Sequence, residues 1–180
     1  MTPITSESKN AARLWRIADD RVLHLDQPRL IGVLNATPDS FSDGGMYRSI
    51  DALVGAALRF VEEGAEIIDI GGESTRPGSM RVDEAEQIDR TIPAIEDLRR
   101  CSDVLISIDT TRSAVAQAAL DAGANIINDQ SAGLEDMGML PLAAQRGCGL
   151  ILMHRLAAPP DESYSHQYER EPEYADVVEA

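Results

Sequence analysis

An α/β fold, a (β/α)8 barrel of the TIM type interrupted after its fifth strand, is what the sequence predicts, and three observations predict it. Five short apolar runs alternate with helical patterns from Leu30 onward, which implies right-handed βαβ units around a parallel sheet. No GxGxxG or GxxxxGK[ST] run opens a helix, so the usual nucleotide signatures of an open, doubly wound sheet are missing. Polar residues instead collect at the C-terminal end of every run: Asn35, Asp69 with Glu73, Asp109, Asn128 with Asp129, and His154. A site assembled from the ends of several strands is the barrel pattern. That decides between the two architectures.

Residues 1–28 form an N-terminal extension, with residues 1–12 weakly ordered. Leu14 to Leu25 can make a hairpin that turns at Asp19-Asp20 and carries Val22, Leu23 and Leu25 on its second arm. Residues 29–180 make the barrel domain. Its strands are expected at Leu30–Leu34, Glu66–Ile70, Val104–Ile108, Asn125–Asn128 and Gly149–Met153. The first three are apolar at nearly every position, as strands covered on both faces must be. Between the first two, Ile50, Leu53, Val54, Ala57, Leu58 and Val61 recur at helical spacing, and Gly64 supplies the stop. A second helix spans about Asp83 to Arg100 with Ala85, Ile88, Ile92, Ile95 and Leu98 inward. Pro93 predicts a kink or break near Asp89. Ser113–Ala122 and Asp136–Arg146 are the third and fourth helices, ended by Gly123 and Gly147.

An internal echo supports the unit structure. Gly64-Ala65-Glu66-Ile67-Ile68-Asp69 and Gly123-Ala124-Asn125-Ile126-Ile127-Asn128 share one order: helix stop, buried strand, polar strand end. Residues 155–171 read as a polar, acidic loop. Glu171-Pro172-Glu173 then has the form of a helix start, and Tyr174, Val177 and Val178 begin an apolar stripe. Five strands leave two edges unpaired where a closed barrel has none.

Composition narrows the function. Sixteen basic residues against 31 acidic ones give a formal charge of −15, which argues against a nucleic-acid partner. A local site on such a protein can still attract anionic small molecules. No stretch approaches the roughly 18 apolar residues of a membrane span. The first 28 residues lack the apolar segment of a secretory signal. Cys101 and Cys148 stand far apart without metal-type spacing, as reduced residues of a cytoplasmic protein do.

The most informative segment is Asn35-Ala36-Thr37-Pro38-Asp39-Ser40-Phe41-Ser42-Asp43-Gly44-Gly45, a strand-to-helix connection filled with oxygen ligands, one aromatic ring and glycines. Asn, Asp, Ser and Pro favour turns for local backbone reasons, but a connection this long and polar usually carries function. With it go Asp69-Ile70-Gly71-Gly72-Glu73-Ser74-Thr75-Arg76-Pro77-Gly78, Ser107-Ile108-Asp109-Thr110, Ile127-Asn128-Asp129 and Met153-His154. From Leu30 to His154, in order and spacing, these segments resemble dihydropteroate synthase. That family joins 6-hydroxymethyl-7,8-dihydropterin diphosphate to p-aminobenzoate and releases pyrophosphate.

The resemblance implies a role for each matching residue. Asp109 and Asn128 fall on pterin-pocket positions, where a carboxylate accepts and a carboxamide both donates and accepts. Met153 is a pocket wall, its soft side chain suited to an aromatic face. Asn35 reaches Mg2+, which prefers oxygen ligands and keeps several waters. Asp43, with Asp39 as the reserve, stabilises the cation left when pyrophosphate departs. Phe41 covers the aminobenzoate ring. Thr75 and Arg76 lie near the diphosphate and p-aminobenzoate, the guanidinium facing a carboxylate. His154 is expected to make a structural hydrogen bond. Ala36 and Gln130 replace larger apolar residues common in the family, and Gln130 lies close to the pterin pocket.

The family's later motifs, a DPGxGFGK-like segment, an SRK segment and a final His-bearing strand end, have no counterpart in these 180 residues. The chain alone is therefore expected to be inactive, and to lack the homodimer that the family builds through its later helices. Two other readings share the pocket: the pterin-binding barrel of a corrinoid-dependent methyltransferase, and a non-catalytic pterin-binding remnant. The Asn35–Gly45 loop together with Glu73–Gly78 favours the synthase.

Overall fold

The structure, a computed structural model, describes residues 14–18, 21–36, 50–74 and 79–155. The hairpin turn at Asp19-Asp20, the loop bearing Asp39, Phe41 and Asp43, the segment bearing Thr75 and Arg76, and everything beyond Arg155 lie outside them. A two-stranded antiparallel unit, β1 (Leu14–Ala18) and β2 (Arg21–His24), precedes five parallel strands: β3 (Ile31–Asn35), β4 (Ile67–Gly71), β5 (Leu105–Asp109), β6 (Ile126–Asp129) and β7 (Gly149–Leu152). Between them run α1 (Ile50–Glu62), α2 (Glu84–Cys101), α3 (Ser113–Asp121) and α4 (Met139–Arg146). Each parallel strand pairs with its successor, in the order β3-β4-β5-β6-β7. A doubly wound sheet would reverse direction at a switch point. This sheet never does, which is barrel winding.

Strict alternation sorts the strand residues onto two faces. Leu34, Ile68, Ile70, Ile106, Ile108 and Ile127 face the helices and build the main core with Leu53, Ala56 and Ala57 of α1, Ala94, Ile95 and Leu98 of α2, and Val115, Ala116 and Ala119 of α3. The opposite, inner face carries Ile67, Asp69 and Gly71 of β4 in register with Leu105, Ser107 and Asp109 of β5. The N-terminal end of that inner face is capped by the hairpin. Ile17 and Leu23 pack with Ile67 and Ile126, flanked by Trp15, Leu105 and Ile151. Gly149 permits the approach, since a Cβ there would stand 3.1 Å from Trp15 Cζ2 and 3.3 Å from Ile17 Cγ2.

β3 to β6 begin one residue later than the sequence suggests, and β7 begins at Gly149 as expected but ends one residue earlier, within the usual uncertainty of element ends. Three differences have physical causes. The break expected near Asp89 is absent, because α2 is one continuous helix through Pro93. Its N-terminus is capped by Asp83, whose carboxylate accepts from Glu86 N at 2.8 Å, and it packs against α1, α3 and β4. Tertiary packing here outweighs the cost of proline. Its inward face is also rotated from the apolar reading: Ala85 is exposed, whereas Gln87 and Thr91 are buried with Ala94, Ile95 and Leu98. Finally, α4 begins at Met139 rather than Asp136. The Asp136 carboxylate instead accepts from Ser113 N at 2.7 Å, capping α3, and from Gly138 N at 2.8 Å.

Candidate functional site

The C-terminal half of the inner face is polar, and its geometry follows from the register. Asn35, Gly71, Asp109 and Asn128 are successive partners across β3 to β6. One pleat below, Asp69 is paired with Ser107. Gly71 separates Asn35 from Asp109 and leaves a notch between them. A Cβ at Gly71 would lie 3.4 Å from Asn35 Oδ1 and 3.4 Å from Asp109 Cβ.

Hydrogen bonds tie this floor together. Asp69 accepts from the Ser107 hydroxyl on one carboxylate oxygen and from Asn128 Nδ2 at 3.1 Å on the other. Asp109 accepts from Gln130 Nε2 on both oxygens, at 3.0 and 2.8 Å. Burial is the main cause that pushes the Asp109 carboxyl up to about 8, and the nearby Asp69 charge adds to it. The Gln130 bond works in the opposite sense, while Glu73 and Asp129 raise it further. Burial likewise raises Asp69, partly countered by its bonds from Ser107 and Asn128. Two buried carboxyls on one face disfavour double ionisation. Near neutral pH the floor holds a proton that a ligand with N–H donors can displace.

A second network braces the rim. Glu73, buried just beyond β4, accepts from Val82 N at 2.9 Å, from Gln87 Nε2 at 3.0 Å and from Arg81 Nη1 at 2.9 Å. It thereby joins the start of the β4–α2 connection to its end. Gln87 Oε1 accepts from Thr110 Oγ1 at 3.0 Å, which links that connection to β5. Gly72 allows α2 to come close, because a Cβ would stand 3.1 Å from the Gln87 backbone. On the far side of the rim, Glu135 receives Arg81, Arg155 and, at 2.9 Å, the Thr111 hydroxyl.

Of the residues singled out in the sequence, Asn35, Asp109 and Asn128 are brought together on one face. Met153 follows β7, half exposed, with its N–H bonded to Asp129 O at 3.1 Å. His154 is next to it and exposed. Asp39, Phe41, Asp43, Thr75 and Arg76 are outside the described residues. Asp129 belongs to the other face: fully buried, it accepts from Ser131 N, Ser131 Oγ and Gly133 N at 2.7–2.8 Å and shapes the turn after β6. Sequence reading counted Asp69 among the polar strand ends without giving it a role, and it missed Ser107 as part of the floor. The internal echo that aligns Asp69 with Asn128, and the two-residue step from Ser107 to Asp109, were the signals that could have found them.

Among the described residues no group of three or more His, Cys, Asp or Glu side chains could hold a metal ion. Any cation here would depend on neutral oxygens such as Asn35 Oδ1 at the Gly71 notch, together with oxygens brought by a ligand.

Comparison with known proteins agrees with this architecture. The family model described as pterin binding enzyme matches residues 31–180. The dihydropteroate synthase of Streptococcus pyogenes is 50% identical over 125 residues, 69% of this chain and 47% of that protein. This chain thus spans about half the length of that relative. Two solved structures superpose well: the Yersinia pestis dihydropteroate synthase in a sulfonamide drug complex, at 41% identity and TM-score 0.76 over 90% of this chain and 56% of that one, and the Xanthomonas albilineans dihydropteroate synthase with 4-aminobenzoic acid, at 40% and 0.73 over 93% and 56%. With a one-way wound sheet and a polar inner floor at the strand ends, matched by a family model over most of its length, the chain belongs to the pterin binding enzyme family.

Proposed function

We propose that this chain forms the pterin-holding part of a dihydropteroate synthase. The reaction joins 6-hydroxymethyl-7,8-dihydropterin diphosphate to p-aminobenzoate, giving 7,8-dihydropteroate and pyrophosphate. The observation that carries the reading is the inner floor of Asp69, Ser107, Asp109 and Asn128. A pterin presents an amino group and ring N–H groups along one edge with acceptors beside them. The Asp109 carboxylate suits the donors. Asn128, its Nδ2 anchored on Asp69, offers Oδ1 to the same edge. Met153, after β7, supplies a soft wall for the ring face.

In the reaction the bond between the pterin methylene carbon and the diphosphate oxygen breaks, and its electron pair leaves with pyrophosphate. The arylamine nitrogen then bonds that carbon and loses a proton. Asp43, or Asp39 in its place, stabilises positive charge at the methylene, and Phe41 covers the aminobenzoate ring and excludes water. Thr75 and Arg76 hold the anionic groups, with Glu73 and Gln87 fixing the connection that bears them. Mg2+ fits beside Asn35, because the Gly71 notch leaves Oδ1 accessible and such a cation takes its other ligands from diphosphate and water. When bound, it would neutralise charge on the departing pyrophosphate. The net charge of −15 supports small-molecule partners rather than nucleic acid. Among the described residues no helix is long and apolar enough to cross a membrane, and the reading carries a cytoplasmic location with it.

Calorimetric titration with 6-hydroxymethylpterin tests the reading. Binding by the chain that falls at least about tenfold in Asp109→Asn supports it, a loss of the size expected for a hydrogen-bonded charged group. Equal binding by the two would contradict it.

A further inference from the structure

A side-chain donor on the Asp109 carboxylate comes from an unexpected place. Gln130 immediately follows β6, and its Nε2 donates to both Asp109 oxygens at 3.0 and 2.8 Å. A carboxylate in that state has its two oxygens engaged by one donor group, in the position where a ligand's paired N–H groups would lie. Asp69 and Asn128 are differently arranged. Their mutual bond and the Ser107 bond use oxygens of Asp69, so nothing there obstructs Asp109.

We propose that Gln130 is an internal competitor for the pterin subsite, a stand-in that caps Asp109 in the free protein and must swing away before a heterocycle can use that carboxylate. The proposal rests on the reading of Asp109 as the ligand's carboxylate and goes beyond it by assigning a specificity-determining residue. Capping serves the free chain, because a buried carboxyl without a partner is costly. It also acts against binding. Every ligand that uses Asp109 must first break the Gln130 contacts, and its net affinity is reduced by their strength. The residue is well placed to swing. It is half-buried rather than enclosed, and it begins the turn that Asp129 shapes through Ser131 and Gly133.

The test is calorimetric titration of the chain and its Gln130→Leu, Gln130→Met and Asp109→Asn variants with pterin as the probe. Both Gln130 variants keep the side chain's approximate size and remove the donor. Each is expected to bind pterin several-fold to about tenfold more tightly than the parent chain, and Asp109→Asn is expected to lose binding. Detectable binding by a Gln130 variant where the parent shows none supports the proposal equally. Unchanged or weaker binding in both Gln130 variants, with loss in Asp109→Asn, overturns the proposal and leaves the pterin reading intact: Gln130 then only orients Asp109. Equal binding by the parent and Asp109→Asn overturns both, and absence of binding in all four proteins counts against both. A second readout needs no ligand. In a carbon-13 NMR titration of the Asp109 carboxyl, both variants are expected to raise its midpoint, since the lost bond favours the ionised form. Asp69 of β4, Glu73 beyond it and Asp129 of β6 contribute the other charges that act on Asp109. An unmoved midpoint overturns the capping contact itself.

Discussion

At the scale of single residues, the chemistry turns on a carboxyl that burial keeps from ionising. Asp109 titrates near 8 when folded, against 3.8 ordinarily. The folded chain therefore binds a proton more tightly than the unfolded chain between those values. By linkage, the stability present below about pH 4 is lost progressively as pH rises toward 8. The raised Asp69 carboxyl acts in the same sense. Urea unfolding at pH 5, 7 and 8.5 checks this: the parent chain is expected to weaken across the series, and Asp109→Asn to weaken less. Binding that uses the ionised carboxylate should also release a proton near neutral pH, seen as a binding enthalpy that depends on the buffer. Asn35, Asp109 and Asn128 were legible in the sequence because each ends an apolar run. Gln87 was not, because a polar residue on a helix gives no sign that Glu73 and Thr110 will meet it in the interior.

At the scale of elements, close approach and plugging do what hydrophobic pattern alone does not show. Gly72→Ala would drive a methyl group to 3.1 Å from the Gln87 backbone and the Thr91 side chain. It is expected to destabilise the chain by about 1–3 kcal/mol, the range for overpacking, as measured by denaturant midpoint. The hairpin was foreseen from its own pattern, but its place was not: Ile17 is fully buried because β4 and β6 begin beneath it, at Ile67 and Ile126. Ile17→Ala is expected to cost about 2–5 kcal/mol, as buried Ile truncations do, and to loosen the N-terminal end of the inner face without touching the polar floor. The misread break at Pro93 shows the limit of local rules, since packing on three sides keeps α2 continuous.

At the scale of the whole molecule, the order of the strands was legible because apolar runs and helices alternate without interruption. The winding direction followed from the polar strand ends, and the sheet order confirms it. What the described residues leave open is on the inner face of the first strand. Ile31 and Val33 are exposed there, at 44% and 55%, because no described element covers β3 from inside. Residues that a barrel brings from its later strands would lie opposite the floor.

The most direct measurement is a crystal structure of the chain with a pterin bound. The pterin is expected on the inner face at the C-terminal ends of β4, β5 and β6, with its N–H edge on the Asp109 carboxylate, Asn128 beside it, and Gln130 turned away. A pterin bound elsewhere, or one at that floor with Asp109 still held by Gln130, would contradict it.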